Sequence, residues 1–324
     1  MVDEEIFRWS YFDFIGYLEK NAGIITEDWL HAALPLMTSK CATDLTSKIK
    51  RLFDEAARRG YVRIFTDHAM GEYKKLLDAQ TCRAAAEQGH LDVLKILRSQ
   101  DPPCPWDEKT CSNAAVGGHL DMLKWLRDQN PPCPWSVLIC RDAAENGHFD
   151  VLKWLHSQDP PCPFWNEVTC KWAARNGHFD MLKWLRSQDP PSPWGVETCR
   201  HAAKNGHLDM LKWLRSQDPP CPWSELTCSY AALNGHLDAL KWLRSQDPPC
   251  PWSELTCTYA AENGHLDVLK WLRSRDPPCP WDESACRDAS FNGHLDVLKW
   301  LVDNGCPYDV SWGGRSAYEE LGLA

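Results

Sequence analysis

Eight Gly-His pairs, at His90, His119, His148, His178, His207, His236, His265 and His294, recur every 29 residues with one step of 30. No other feature of the chain constrains its fold as much. A fixed period of this length means that one supersecondary unit is reused, that a single unit cannot bury its apolar face, and that about three must stack before a core forms. The step of 30 falls at Phe164, an extra residue between the Pro and Trp of a Cys-Pro-Trp segment, so the insertion lies in a loop.

The unit reads W-[DS]-E-x-T-C-x-x-A-A-x-N-G-H-L-D-V-L-K-W-L-R-S-Q-D-P-P-C-P, and its punctuation predicts two short helices. After the loop Trp stands Asp107, Ser136, Asn166, Gly195, Ser224, Ser253 or Asp282, all from the preferred N-cap set, with Asp78 opening the first unit. Trp106 then precedes the cap and Cys111 is the fourth helical residue, the spacing of a hydrophobic staple. Asn-Gly ends helix one, because glycine accepts a positive φ. In helix two, Asp92 sits in the first turn and Arg98 in the last, matching the helix dipole. Asp92, Lys95, Arg98 and Ser99 are expected on the polar face, with Leu91, Leu94 and Leu97 toward the core. Asp101-Pro102-Pro103 stops the helix and stiffens the loop.

Phe53, Ala56-Ala57 and Gly60 lie 29 residues before Cys82, Ala85-Ala86 and Gly89, so residues 46–77 read as a degenerate capping repeat ahead of eight repeats over 78–308. Residues 309–324 read as a half-repeat cap, with Glu319-Glu320 where Ala-Ala would pack. Residues 1–45 carry Phe7, Trp9, Tyr11, Phe12 and Trp29 but no repeat register, and form a separate helical segment.

The segment Asn-Gly-His-Leu-Asp-Val-Leu-Lys after Ala-Ala resembles the ankyrin motif A-A-x-x-G-H-x-x-V-V-x-L-L over residues 46–324, and is most similar to the Cys-Pro-Trp-rich ankyrin arrays of algae, protists and large DNA viruses. The fold this implies is all-α, an ankyrin-like helix-turn-helix solenoid of about nine stacked units with short Pro-rich loops. Two departures stand out. Gln80-Thr81-Cys82-Arg83 replaces the family's T-P-L-H, and the unit is about four residues shorter than the ~33 of an ankyrin repeat, so projecting β-hairpin fingers are not expected.

Where the copies differ, they differ at three positions of helix one. Counting from its Cys, the first, second and fifth following residues vary, and at about 100° per residue they share one side, opposite Cys and the two alanines. Uniform positions make the core and variable ones a surface. The resemblance implies that this side lines the concave groove that holds a partner. Four successive copies place Trp172, His201, Tyr230 and Tyr259 in register, flanked by Lys171, Arg175, Arg200 and Lys204, with Leu233 and Glu262 beside the tyrosines. Aromatic and Arg side chains dominate binding hot spots, so these ten residues are the expected partner-binding site, and their positive charge points to an acidic segment on a partner protein.

The remaining constellations carry less. Neighbouring helices pack ~8–10 Å apart, too far for one column of His to share a zinc or one column of Cys to form disulfides. The His column is expected to cap helix two or bond a neighbouring backbone, and the two Trp columns to pack between units. Pairing between Cys columns remains open, as between Cys104 and Cys111, although Ser192 interrupts the loop column. No phosphate loop, dinucleotide fingerprint, metalloprotease or nucleophile-elbow motif occurs, so no catalytic residue, metal or cofactor is assigned. A net charge of −10 argues against nucleic acid. No apolar run spans a bilayer and the start lacks a signal peptide, so the expectation is a monomer in the cytosol or nucleus, off the membrane, with its 16 cysteines largely reduced. The expected function is a protein-protein interaction scaffold. The alternatives are a substrate-recruiting adaptor, for example of a ubiquitin ligase, docking through residues 1–45, and a metal-binding or redox-sensing Cys-rich array.

Overall fold

Helix one of a repeat begins where a short polar side chain takes over an orphaned backbone N–H. In the computed structural model, which describes residue 28 and residues 42–66, 73–136, 138–158, 166–309 and 315–322, the carboxylates of Asp78, Asp107 and Asp282 and the amide oxygen of Asn166 accept from the N–H two residues on, at 2.9–3.1 Å. Ser224 and Ser253 start helices whose third residue, Thr227 or Thr256, returns its hydroxyl to the cap N–H. Ser136 accepts from Leu138 N at 3.1 Å, and the helix begins slightly later, at Ile139.

The chain divides into two compact units, Met1–Pro163 and Phe164–Ala324. The described helices of the first are α1 (Ala42–Arg58), α2 (Val62–Thr66), α3 (Ala79–Glu87), α4 (Leu91–Arg98), α5 (Glu108–Val116), α6 (Leu120–Arg127), α7 (Ile139–Asn146) and α8 (Phe149–His156). Those of the second are α9 (Glu167–Arg175), α10 (Phe179–Ser187), α11 (Val196–Lys204), α12 (Leu208–Ser216), α13 (Glu225–Leu233), α14 (Leu237–Arg244), α15 (Glu254–Glu262), α16 (Leu266–Arg273), α17 (Glu283–Phe291), α18 (Leu295–Asp303) and α19 (Arg315–Glu320). In each unit the first helices pack side by side, and the second helix of a pair folds back on its own first helix. The all-α stack of helix-turn-helix repeats read from the sequence is therefore the architecture of both units. No strand occurs among the described residues, so the described loops carry no β-hairpin finger.

Cys and the Ala-Ala pair of helix one are sealed from solvent in repeat after repeat, as in Cys111, Ala114 and Ala115. Their small volume lets first helices approach closely. Helix two adds two leucines and the residue before them. In α4 these are Val93, Leu94 and Leu97, all buried, while Leu91, expected in the core, is only half-buried.

The Gly-His pair locks one repeat to the previous one. Gly89 takes φ +78°, and a Cβ there would lie 2.6 Å from the His119 ring of the next repeat. The same His119 sends Nε2 to the Glu87 carbonyl at 3.2 Å. His90, His148, His207, His265 and His294 reach the carbonyls of Arg58, Val116, Arg175, Leu233 and Glu262 in the same way, at 2.7–3.3 Å. Although each His stands at the N-cap of helix two, its side chain makes no capping bond there. It bonds the neighbouring backbone instead, the second of the two roles expected.

The Cys-Pro-Trp loop closes each helix pair. Cys104 N–H donates to Leu97 O at 3.0 Å, its carbonyl accepts from Arg98 Nη1 at 2.6 Å, and its thiol faces the Asp78 carbonyl at 3.3 Å. The Arg98 guanidinium also lies 3.8 Å from the centre of the Trp106 ring, and Trp106 meets Trp125 edge to face at 6.2 Å. Arg98 is thus a loop anchor rather than a plain member of the polar face. The Asp101-Pro102 bond is cis, as are the bonds at Pro131, Pro190, Pro219, Pro248 and Pro277.

At the ends, α1 packs on α3 and α2 on α4. In α19, Ala317 and Tyr318 are buried while Glu319 and Glu320 are exposed. Apart from Asp28, which pairs with Arg63 at 2.7 Å, and the residues from Ala42 on, the expected N-terminal segment 1–45 and its proposed docking role lie outside the described residues.

Candidate functional site

Because the His of one repeat binds the carbonyl of the fifth position of the repeat before, that position does its structural work through the backbone, and its side chain is free to change. Glu87, Val116, Arg175 and Phe291 are exposed, and Lys204, Leu233 and Glu262 half-buried. The other two variable positions are less uniform than the helical projection suggests. Ala84 and Asp142 at the second position are buried, as are Ser229 and Thr258 at the first. Ser229 Oγ and Thr258 Oγ1 bond back to the Glu225 and Glu254 carbonyls at 3.1 Å, and Ser229 Oγ also meets Thr256 Oγ1 of the next repeat at 3.1 Å. Small hydroxyl residues have sunk into the contact between first helices there.

The ten expected site residues all lie in the second unit, on α9, α11, α13 and α15. Trp172 has the Arg175 guanidinium 4.6 Å and the Lys171 ammonium 5.6 Å from its ring centre. Tyr230 has Arg200 at 5.1 Å and Lys204 at 5.2 Å, and packs edge to face on Tyr259 at 5.9 Å. Arg175 alone of the ten is exposed, the rest being half-buried. The aromatic faces are therefore partly covered by their own cations, and what meets solvent is a charged rim over an aromatic row. Burial, with Tyr230 and Glu262 nearby, raises the Tyr259 phenol above its ordinary range.

His201 sits at the middle of that row. Burial, then the positive charges of Lys171 and Arg200, lower its pKa to about 4, so the ring is neutral at ordinary pH. Its Nε2 lies 3.7 Å from Glu197, which also pairs with Arg200. His201 Nδ1 and Arg200 Nε are buried without a hydrogen-bond partner. Four cations, two unsatisfied buried nitrogens and a histidine held neutral by burial and then by positive charge make this face short of negative charge. A carboxylate is the group that would relieve it.

Sequence reasoning missed two things. Phe291, at 59% exposure, extends the fifth-position column and was legible in that column. The thiol pairing was not legible. In five repeats the helix-one Cys meets the loop Cys 22 residues downstream: Cys82 Sγ is 3.5 Å from Cys104 Sγ, and the sulfurs of Cys111, Cys199, Cys228 and Cys257 lie 3.7–4.0 Å from the carbonyl oxygens of Cys133, Cys221, Cys250 and Cys279. Cys104 thus pairs with Cys82, not with Cys111 as considered from the sequence. Ser192 takes the loop position against Cys170 at 3.4 Å; among the described cysteines 13 are free thiols, in line with the expectation of largely reduced cysteines, and Cys140 is disulfide-bonded. No group of three or more metal-ligating side chains converges among the described residues. No helix among them is long and apolar enough to cross a membrane.

The chain was compared with known proteins. Among solved structures, two of the pentatricopeptide repeat protein PPR10 in complex with an 18-nucleotide psaJ RNA element are similar to it. Each has TM-score 0.44 and 14% identity over 96% of this chain, which spans 49% of theirs. In both of those structures the protein is bound to RNA, and the exclusion of nucleic acid read from the sequence is withdrawn. A whole-chain charge of −10 does not fix the sign of one face, and the α9–α11 face is basic. Among curated proteins none matches. The family described as ankyrin repeats in three copies matches residues 228–311, and that described as ankyrin repeats in many copies matches residues 140–186 and 199–244. Ankyrin repeats are in general protein-interaction scaffolds. The matched spans run through the Ala-Ala and Gly-His registers that stack the helices in both units, and the chain belongs to the ankyrin repeat family.

Proposed function

We propose that this protein is a scaffold that holds an acidic peptide segment of a partner protein along α9, α11, α13 and α15. The observation that carries the reading is the unbalanced charge around His201. Lys171, Arg175 and Arg200 surround a ring that burial keeps neutral, and only Glu197 answers them locally. The partner's carboxylates pair with these cations, drawing them off Trp172 and Tyr230, and its apolar side chains then settle on the uncovered rings. Aromatic and Arg side chains in such an arrangement concentrate binding energy in few positions.

The test is a titration of a fluorescein-labelled Glu-rich peptide carrying Leu and Phe, beside a Lys-rich peptide and a single-stranded RNA of similar length. The acidic peptide should bind, more weakly at high salt. Replacing Trp172, Tyr230 and Tyr259 together by Ala should weaken it by at least about tenfold, whereas Lys212→Ala on the exposed side of α12 should not. Equal affinity of both variants for the acidic peptide, or tighter binding of the RNA through the same residues, overturns the reading.

A further inference from the structure

The thiol pairs lie on the buried side of the first helices, whose other side carries the aromatic row, and are not used by it. They recur at one place in the repeat, where the loop returns to the start of helix one. The loop thiol is held there from three sides: its own N–H on a helix-two carbonyl, its carbonyl on an Arg, and its sulfur against the N-cap carbonyl. In the Cys221 repeat these distances are 3.0, 2.7 and 3.6 Å. The geometry that fixes the loop therefore also presents its sulfur to the helix-one sulfur. Ser192 keeps the backbone contacts at 3.0 and 2.6 Å with a hydroxyl in place of the thiol. Closure of the loop thus does not need sulfur, yet Cys fills this position in most copies of the repeat. Cys140, at the helix-one register of its repeat, is already in a disulfide.

We propose that the helix-one and loop cysteines of each repeat form a dithiol site that is oxidised to an intra-repeat disulfide by exchange with a small-molecule disulfide of the glutathione class. The Cys82 thiolate attacks one sulfur of the small disulfide, forming a mixed disulfide and expelling one thiolate. The Cys104 thiolate then attacks the Cys82 sulfur, forming the protein S–S bond and expelling the second. The two protein sulfurs are oxidised, the small disulfide is reduced, and the two protons lost by the protein are carried by the two expelled thiols. Both cysteines are buried, at 0% and 2% exposure, so the exchange proceeds when the Pro-rich loop swings open and the bond traps it on reclosing. The neighbouring sulfur, together with burial, raises the Cys82 thiol and keeps the closed pair unreactive. Each bond fastens a loop to a helix start 22 residues away and restricts the unfolded chain.

The experiment takes the full chain, fully reduced, equilibrates it natively against reduced and oxidised glutathione, blocks free thiols under denaturing conditions, and maps the peptides by mass spectrometry. The expected result is a loss of about 2 Da per closed pair, cross-links joining Cys82 to Cys104 and its equivalents 22 residues apart, and Cys170 recovered as a free thiol. Ser192→Cys should add one bond, to Cys170, while Cys104→Ser, which copies a loop the protein already contains, should remove one and still fold. The oxidised chain should melt several degrees above the reduced one. Thiols that stay free across the glutathione range, cross-links between repeats such as Cys104 to Cys111, or a thiol at position 192 that stays free in the folded Ser192→Cys variant would each overturn the proposal.

Discussion

Single residues in this chain do their work through the contact one repeat makes with the next. A Cβ on Gly206, at φ +70°, would lie 2.7 Å from the His236 ring, whereas Gly293 has φ +72° and nothing within 4 Å. Gly293→Ala should cost only the left-handed backbone term of about 1–2 kcal/mol. Gly206→Ala should cost clearly more, because the ring must leave its place, and denaturant titration of both variants separates the two. Equal losses would mean that the His ring is not held against the glycine. His201 makes a second prediction. Its ordinary pKa is 6.5 and the folded value about 4, so between those values the unfolded chain binds more protons than the folded one. The stability that neutral His201 contributes is complete above pH 6.5 and is lost as pH falls toward 4. Melting temperatures of the wild type should therefore fall more steeply across that window than those of His201→Gln, and parallel curves would contradict the burial account.

Among elements, the loop and helix two form a clasp whose centre is one arginine. Arg215 Nη1 donates to Cys221 O at 2.7 Å and the guanidinium lies 3.8 Å from the Trp223 ring centre, while Lys212, one turn earlier, is exposed and reaches only Asp209 at 3.7 Å. Both read from the sequence as members of one polar face. Arg215→Ala should lower stability by about 1.5–3 kcal/mol through a lost charged hydrogen bond and cation–π contact. Lys212→Ala should stay within about 0.5 kcal/mol of the wild type, and urea unfolding measures both. Arg215→Lys should not restore the loss, since an ammonium cannot both stack flat on the indole and donate to the carbonyl in the same geometry.

For the whole molecule, the division into Met1–Pro163 and Phe164–Ala324 leaves the proposed binding row in one unit. Contacts in a repeat stack reach only the neighbouring repeat, so stability sums over neighbours and damage stays local. Leu123 and Leu211 occupy equivalent, fully buried positions of helix two, one in each unit. Each Leu→Ala should cost about 2–5 kcal/mol. Leu211→Ala should also weaken capture of the acidic peptide, whereas Leu123→Ala should leave that affinity unchanged. Calorimetry paired with the peptide titration checks this, and equal loss of affinity in both variants would show that the units act as one.

What depends on neighbours along the chain is written in the order of the residues. The period, the N-caps Asp78 to Asp282, the Asn-Gly ends, the Pro-Pro stops and the Cys-Ala-Ala core of helix one are set by bonds within a few residues, and all are legible in the repeated letters. The aromatic row was legible as a column, since Trp172, His201, Tyr230 and Tyr259 share one register. Which members of that side stay outside depends on how the helices pack. Ser229 and Thr258 turned into the helix contact because they are small enough to fit and can return a hydroxyl to their own helix. The same packing folds Arg98 onto its loop, brings Cys82 to Cys104, and lets His119 reach back to Glu87. Those partners are 6, 22 and 32 residues away. Over such separations, pairing is chosen by how helices stack and how the loop returns, which no local pattern of side chains encodes.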